Sequence, residues 1–193
     1  MYSVGDKVIH CAHGAGVITD KKEMQITDTP HCYLVIQLLG SHSTLMVPTD
    51  QAGERLRPAC ERAKLHHLLT SELPGEPQEM PGDYRDRQKY VEEKLKSGET
   101  KAWIEVIRDL TDRAEQNSLS SADQRLLDRA VDLVSGELAL AQGIPQQEAM
   151  PRLKSMVEHR HQLVDRPVES PGWWQTLGQR VIEPFTRGSM HTG

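Results

Sequence analysis

The sequence predicts an α+β chain: a small strand-rich N-terminal unit closing as a bent β barrel, a compact all-α unit, and a C-terminal extension. Three observations carry this expectation. Residues 4–48 alternate short apolar runs with Gly and Pro punctuation. Residues 100–142 repeat apolar side chains at spacings of three and four. Of the 193 residues 26% are charged and 4% aromatic, a balance that fits a water-exposed, helix-rich chain.

In chain order, Val8-Ile9 is a first strand and Val17-Ile18 a second, ending before the charged stretch Asp20 to Glu23. Asp28-Thr29-Pro30 is a turn, Tyr33 to Leu38 the strongest strand, and Thr44 to Val47 a fourth strand stopped by Pro48. Four or five short strands in about 50 residues close most economically as a small SH3- or Tudor-like barrel. Such barrels bind along an edge strand or loop and carry no catalytic cleft of their own.

Pro58 suits the first turn of a helix running through Glu61, Leu65, Leu68 and Leu69. Leu73 to Gly82, with three prolines and two glycines, is a loop. Asp83 is the N-cap of a helix from Tyr84 to Ser97, along whose successive turns Arg87, Tyr90, Val91, Lys94 and Leu95 mix a packing stripe with a basic one. Ser97-Gly98 ends that helix. Two helices follow at the centre of the chain, Thr100 to about Asn117 and Ser120 to about Gln142. Their stripes are Trp103, Ile107, Leu110, Ala114 and Leu127, Ala130, Val134, Leu138, Ala141. Ser120 with Asp123 resembles a capping box, and the short link makes the pair an antiparallel hairpin. Pro145 to Val164 reads as a further helix that Pro151 breaks or kinks. Beyond a Pro-rich linker, Trp173, Trp174, Leu177, Val181 and Phe185 form an apolar stripe, and the last residues from Arg187 read as a flexible tail. The expected units are 1–57, 58–143 and 144–193.

The net charge is −5, and residues 59–143 carry 12 Lys/Arg against 17 Asp/Glu. That excludes a protein that coats nucleic acid through a global positive field, so any DNA contact is a local patch. Cys11, Cys32 and Cys60 are too few and too odd in number for a disulfide framework, which points to a reducing cytoplasm. Met1 to Asp6 lacks the pattern of a secretory leader, and no run of about 18 apolar residues predicts a membrane span.

Val4-Gly5-Asp6-x-Val8, His13-Gly14-Ala15-Gly16-x-Ile18, Tyr33-Leu34-Val35 and Met46-Val47-Pro48 resemble the RNA-polymerase-interaction domain of the CarD/CdnL transcription factors. Transcription-repair coupling factor carries the same module. It also needs helicase motifs with a phosphate-binding loop, and this sequence has none. Lys94-Leu95-x-Ser97-Gly98, Glu105-Val106-x-Arg108-Asp109-Leu110, Leu119-Ser120 and Ser135-Gly136-Glu137-Leu138-Ala139-Leu140-Ala141 resemble the CarD/CdnL helical domain. The resemblance runs from about Tyr2 to Gln142. It implies a bacterial regulator whose barrel binds the RNA polymerase β subunit. Its helical domain would meet promoter DNA at the upstream edge of the bubble and stabilise the open complex.

Residue by residue, Tyr84 stands where the family carries a Trp that wedges into the minor groove. An aromatic plane can prop open a kinked step and replace a lost stack. The alternative is that Tyr84 covers the start of its helix. Lys89 matches a position contacting DNA backbone, and Arg85 and Arg87 flank it, poised to clamp phosphates. A solvated helix face is the alternative, since Asp83, Asp86, Glu92 and Glu93 lie close in sequence. Gln124 replaces a family Lys, and its neighbour Arg125 can substitute. Met24 and Met46 occupy barrel positions where family members set Arg against the β subunit; exposed methionines would make an adaptable apolar contact instead. An inward, core-facing Met46 is the alternative. The departures at Tyr84 and Gln124 leave a second function open: a protein-binding adaptor whose helical domain no longer touches DNA.

His10, Cys11, His13, His31 and Cys32 are the one metal-like group, but they lack zinc-ligand spacing, and His13-Gly14 is better read as a turn. No nucleophile–base pair, phosphate loop or metal-plus-carboxylate set appears, so neither enzymatic activity nor a cofactor is expected. Trp103 reads as core. For Trp173 and Trp174, packing on the helical unit ranks first, then partner binding, then a membrane surface.

Overall fold

Five strands form one antiparallel sheet in the computed structural model of the chain, which describes residues 2–25, 30–41 and 43–160. They are β1 (Lys7–His10), β2 (Gly14–Gln25), β3 (Pro30–Leu38), β4 (Thr44–Pro48) and β5 (Leu56–Pro58), hydrogen-bonded in the order β4-β3-β2-β1-β5. The expected small β unit is present, compatible with a Tudor-like fold, but β4 and β5 do not pair with each other. Among the described residues, hydrogen bonding therefore leaves the sheet open at β4, and the short helix α1 (Ala52–Arg55) touches both outer strands.

Alternation sets the two faces of the sheet. Ile18, Leu34, Ile36, Leu38 and Val47 point inward and form a core with Val8, Ala52 and Leu56. Ile18 lies opposite Ile36, and Leu34 opposite Val47. Gly16 explains one quoted motif: a Cβ there would fall 2.6 Å from Ile36 Cγ2 and 2.9 Å from the Gln37 carbonyl oxygen. The charged stretch Asp20 to Glu23 continues β2, because its backbone is paired with Val35 to Cys32 of β3. A register shift between Ile18 and Asp20 leaves Thr19 as an extra residue and resets which side chains face out. Pro58 does not start a helix. It closes β5 opposite Val8, an edge position that asks no donor of a proline.

The helical part consists of α2 (Arg62–Glu72), α3 (Tyr84–Lys96), α4 (Thr100–Gln116), α5 (Ser121–Gln142) and α6 (Gln146–Glu158). The expected α4–α5 pair packs through Trp103, Ile107, Leu110, Ala130, Val134 and Leu138, whereas Ala114, near the end of α4, is exposed. Gly98 (φ 75°) and Gly143 (φ 69°) take the left-handed conformation just past α3 and at the end of α5. Ser120 Oγ accepts the Asp123 N–H at 3.1 Å, but Asp123 does not complete a capping box; its carboxylate turns to Arg87. Pro151 lies inside α6 without breaking it, and buried Ala149, Leu153 and Met156 seat that helix on the others. Arg160 fastens its end to Asp112 and Glu115. Trp173, Trp174, Leu177, Val181 and Phe185 lie outside the described residues.

The sheet and the helices share a core: Ile9 and Ala15 belong to the helical cluster.

Candidate functional site

Tyr84 is the first residue of α3 and is 46% exposed. Its position is set locally by Asp83, whose Oδ1 accepts the Arg85 N–H at 2.8 Å and the Asp86 N–H at 3.2 Å. Further down α3, Arg87, Val91 and Leu95 are buried, while Arg85 and Lys89, one helical turn apart, are exposed together with Glu92. Arg125 on α5 is also exposed, its Nε donating to the Ser121 carbonyl. Gln124 beside it donates to Asp128.

Arg87 departs from the phosphate-clamp expectation. Its side chain is buried, with Nη2 3.1 Å from Asp123 Oδ2 and Nη1 donating to the carbonyls of Pro81 and Gly82. A guanidinium enclosed between α3 and α5 does not reach a phosphate. Instead it ties together the loop before Tyr84, the start of α3 and the start of α5. That loop is pinned a second time. Gln78 N–H donates to Asp109, and the Gln78 side-chain carbonyl accepts from Tyr90 and Lys94. Trp103 is fully buried, and its indole N–H donates to the Leu95 carbonyl.

On the sheet, Met46 (43% exposed) and Met24 (36%) both face outward, so the core-facing alternative for Met46 is excluded. Met46 is opposite Val35 and Met24 opposite His31. Val35, Tyr33 and His31 alternate along β3 on one face, so the two methionines share that face. β4 is a sheet edge beside them.

A polar junction that the sequence reading missed joins the two parts. Glu137, in the middle of α5, is fully buried and bonds Arg57 of β5 through both carboxylate oxygens, at 2.6 and 2.8 Å. Arg57 Nε donates to the Gly98 carbonyl, and Nη2 to Thr100 Oγ1. Thr100 Oγ1 and the Cys60 N–H complete the carboxylate's partners. The guanidinium also lies 5.2 Å from the Trp103 ring centre. One available signal was the Gly136-Glu137 pair interrupting the apolar run Leu133 to Leu140.

His10 is buried, and its Nδ1 accepts the N–H groups of Ala12 and His13, which uses the lone pair a metal would need there. Burial first, then the nearby His13 and Arg55 charges, lower its pKa from 6.5 to about 4. Among the described residues, no group of three or more His, Cys, Asp or Glu comes together to hold a metal, and no helix is long and apolar enough to cross a membrane. A groove of about 710 Å³ between sheet and helices is lined by residues including His13, Leu39, Arg129, Asp132, Gln146 and Met150.

Two family models cover most of the chain. The one described as CarD-like/TRCF RID domain matches residues 2–60, and the one described as CarD, C-terminal domain matches residues 69–154. The second match extends into α6, beyond the Gln142 limit expected from the motifs. The chain is also 28% identical over 149 residues to the protein named "Putative transcription factor YdeB" of Bacillus subtilis (strain 168), covering 77% of this chain and 97% of that one. An RNA-polymerase-interaction module followed by this helical domain defines a transcription regulatory factor that interacts with RNA polymerase. The chain belongs to the CarD/CdnL family.

Proposed function

We propose that the chain binds the RNA polymerase β subunit through the Met24–Met46 face and the β4 edge. From there its helical part would contact promoter DNA at the upstream edge of the bubble and stabilise the open complex. Residues 1–57 hold the polymerase, residues 58–143 meet the DNA, and the whole acts in the cytoplasm. An unpaired strand edge offers backbone donors and acceptors to a partner strand, and two exposed methionines add adaptable apolar area. Tyr84 is the wedge, and Arg85, Lys89 and Arg125 supply phosphate contacts.

The observation that carries this reading is Tyr84. A large aromatic ring is held out at a helix start whose backbone is anchored by Asp83 and Arg87. A packing role would bury the ring. The test is open-complex lifetime with purified polymerase. Tyr84→Ala shortens it while polymerase binding and thermal stability stay unchanged, and Tyr84→Trp holds or lengthens it. Equal lifetimes for wild type and Tyr84→Ala, with both bound to polymerase, would remove the wedge. The adaptor reading draws on Gln124, an uncharged side chain bonded to Asp128 where the resemblance calls for Lys. It predicts polymerase binding with no change in lifetime.

A further inference from the structure

We propose that the Arg57–Glu137 junction is a lock. It holds the polymerase-facing edge and Tyr84 at one fixed separation, and Arg57, Gly136 and Glu137 are positioning residues for open-complex stabilisation. The proposal rests on the two-surface reading above and adds that the surfaces work as a rigid bridge.

Four contacts of different physical kinds converge here. Glu137 has no exposed surface, and its two oxygens accept from Arg57, Thr100 and the Cys60 N–H, so both parts of the chain supply its partners. A forked guanidinium–carboxylate pair holds well in one geometry only. Gly136, one residue earlier, is where α5 meets the sheet: a Cβ there would fall 2.9 Å from Ala15 Cβ. Glycine weakens a helix interior, so its use inside α5 fits a need for close approach. Lys7 of β1 reaches across to donate to the Leu140 carbonyl at 2.7 Å, putting a cation in the last turn of α5. Apolar Ile9 and Ala15 join the helical core. The ion pair fixes direction, the glycine contact fixes spacing, and the shared core leaves little room for rotation. The lock also sits on the β1–β5 side, at the opposite edge of the sheet from β4. Altering it therefore leaves the proposed polymerase edge intact.

The discriminating variant is Gly136→Ala. Alanine favours the helix, so only the contact with the sheet suffers. Ala15→Gly in the same chain removes the opposing Cβ and restores the space. Arg57→Lys, which keeps the charge and loses the fork, is an independent second variant. Residual dipolar couplings of the free full-length protein report whether sheet and helices share one alignment tensor. Open-complex lifetime with polymerase reports function. One tensor is expected for wild type, and two for Gly136→Ala and Arg57→Lys. Those two variants should lose at least threefold in lifetime with polymerase affinity within twofold of wild type. The Ala15→Gly/Gly136→Ala pair should recover both the single tensor and the lifetime. A single tensor in both single variants overturns the lock, and separated tensors with an unchanged lifetime overturn the positioning role. Wild-type protein that leaves the lifetime unaltered overturns the two-surface reading and the positioning role with it, while the tensors still decide the lock.

Discussion

Replacing Arg87 by Ala should destabilise the fold rather than subtract a DNA contact. The Arg87 side chain is 5% exposed and that of Asp123 1%, and the pair is joined at 3.1 Å. Truncation leaves the Asp123 carboxylate buried without its cation, and Asp123 Oδ1 already has no hydrogen-bond partner. Removing one member of a buried pair costs about 3–5 kcal/mol. The Pro81 and Gly82 carbonyls also lose a charged donor, but these lie in a partly exposed loop and rehydrate. We therefore expect about 3–4 kcal/mol, a large share of the roughly 5–15 kcal/mol that folds a domain. Arg85→Ala, an exposed control two residues away, should stay within about 0.5 kcal/mol. Equilibrium unfolding in guanidinium followed by circular dichroism measures both. Adding Asp123→Ala to Arg87→Ala should cost less than the sum of the singles by at least about 1 kcal/mol, because each change removes the other's unpaired charge. The salt dependence of DNA binding in the polymerase complex separates the alternatives. A lost phosphate contact lowers the log–log slope by about 1, and a lost brace leaves it alone. Arg87→Ala at wild-type stability with a reduced slope would sink the reasoning.

Two further outcomes are expected. His10 carries a folded-state pKa of about 4 against 6.5, so between those values the unfolded chain binds the extra proton. Its contribution is complete above pH 6.5 and is lost as pH falls toward 4, by about 1.4 kcal/mol per unit and about 3 kcal/mol in all. Unfolding measured from pH 7 to 4.5 should show that slope in wild type and a flatter one in His10→Gln; identical slopes would refute it. On the sheet, Met46→Glu should weaken polymerase β-subunit binding at least tenfold in a pull-down or titration, with melting unchanged because the side chain is exposed. Met24→Glu should act in the same direction, and undiminished binding in both variants would move the interface elsewhere.

The sequence made legible what is encoded within a turn or two of chain. The three- and four-residue spacing of Trp103, Ile107 and Leu110 marks a helix whatever surrounds it. Asp83 and Ser120 cap because their acceptors reach N–H groups only two or three residues on. What stayed hidden depends on partners far along the chain. Residue type alone sends Arg87 to the surface; its burial is decided by Asp123, 36 residues later. Pro58 is locally compatible with a helix start or a strand end, and pairing with Val8 chooses the strand. The faces of β2 could not be read by parity past Thr19, because an extra residue reverses the alternation there. Arg57 and Glu137 are 80 positions apart, and although Glu137 interrupts an apolar run, nothing local marks Arg57 as its partner.

The energetic scale of the proposed DNA surface explains why a lock matters. Stacking on an aromatic ring contributes about 1–3 kcal/mol per base, and Tyr84 offers one ring. Arg85, Lys89 and Arg125 add three exposed positive charges, but Asp83, Asp86, Glu92 and Glu93 lie close to the α3 pair, and the chain as a whole carries −5. Such a surface is too weak to find a promoter alone, since each tenfold in affinity needs 1.4 kcal/mol. If the chain is held through β4 as proposed, this surface would meet DNA at an effective concentration set by the connection between the parts. A loose connection would dilute Tyr84 over every position it could sweep. A connection fixed by Glu137 and Gly136 would confine it to one, so that a contact of a few kcal/mol would act only at the DNA step lying at that separation from the proposed polymerase edge. Precision of placement would then take over the role that base contacts have in sequence-specific factors, and this follows from a carboxylate and a glycine in the middle of α5.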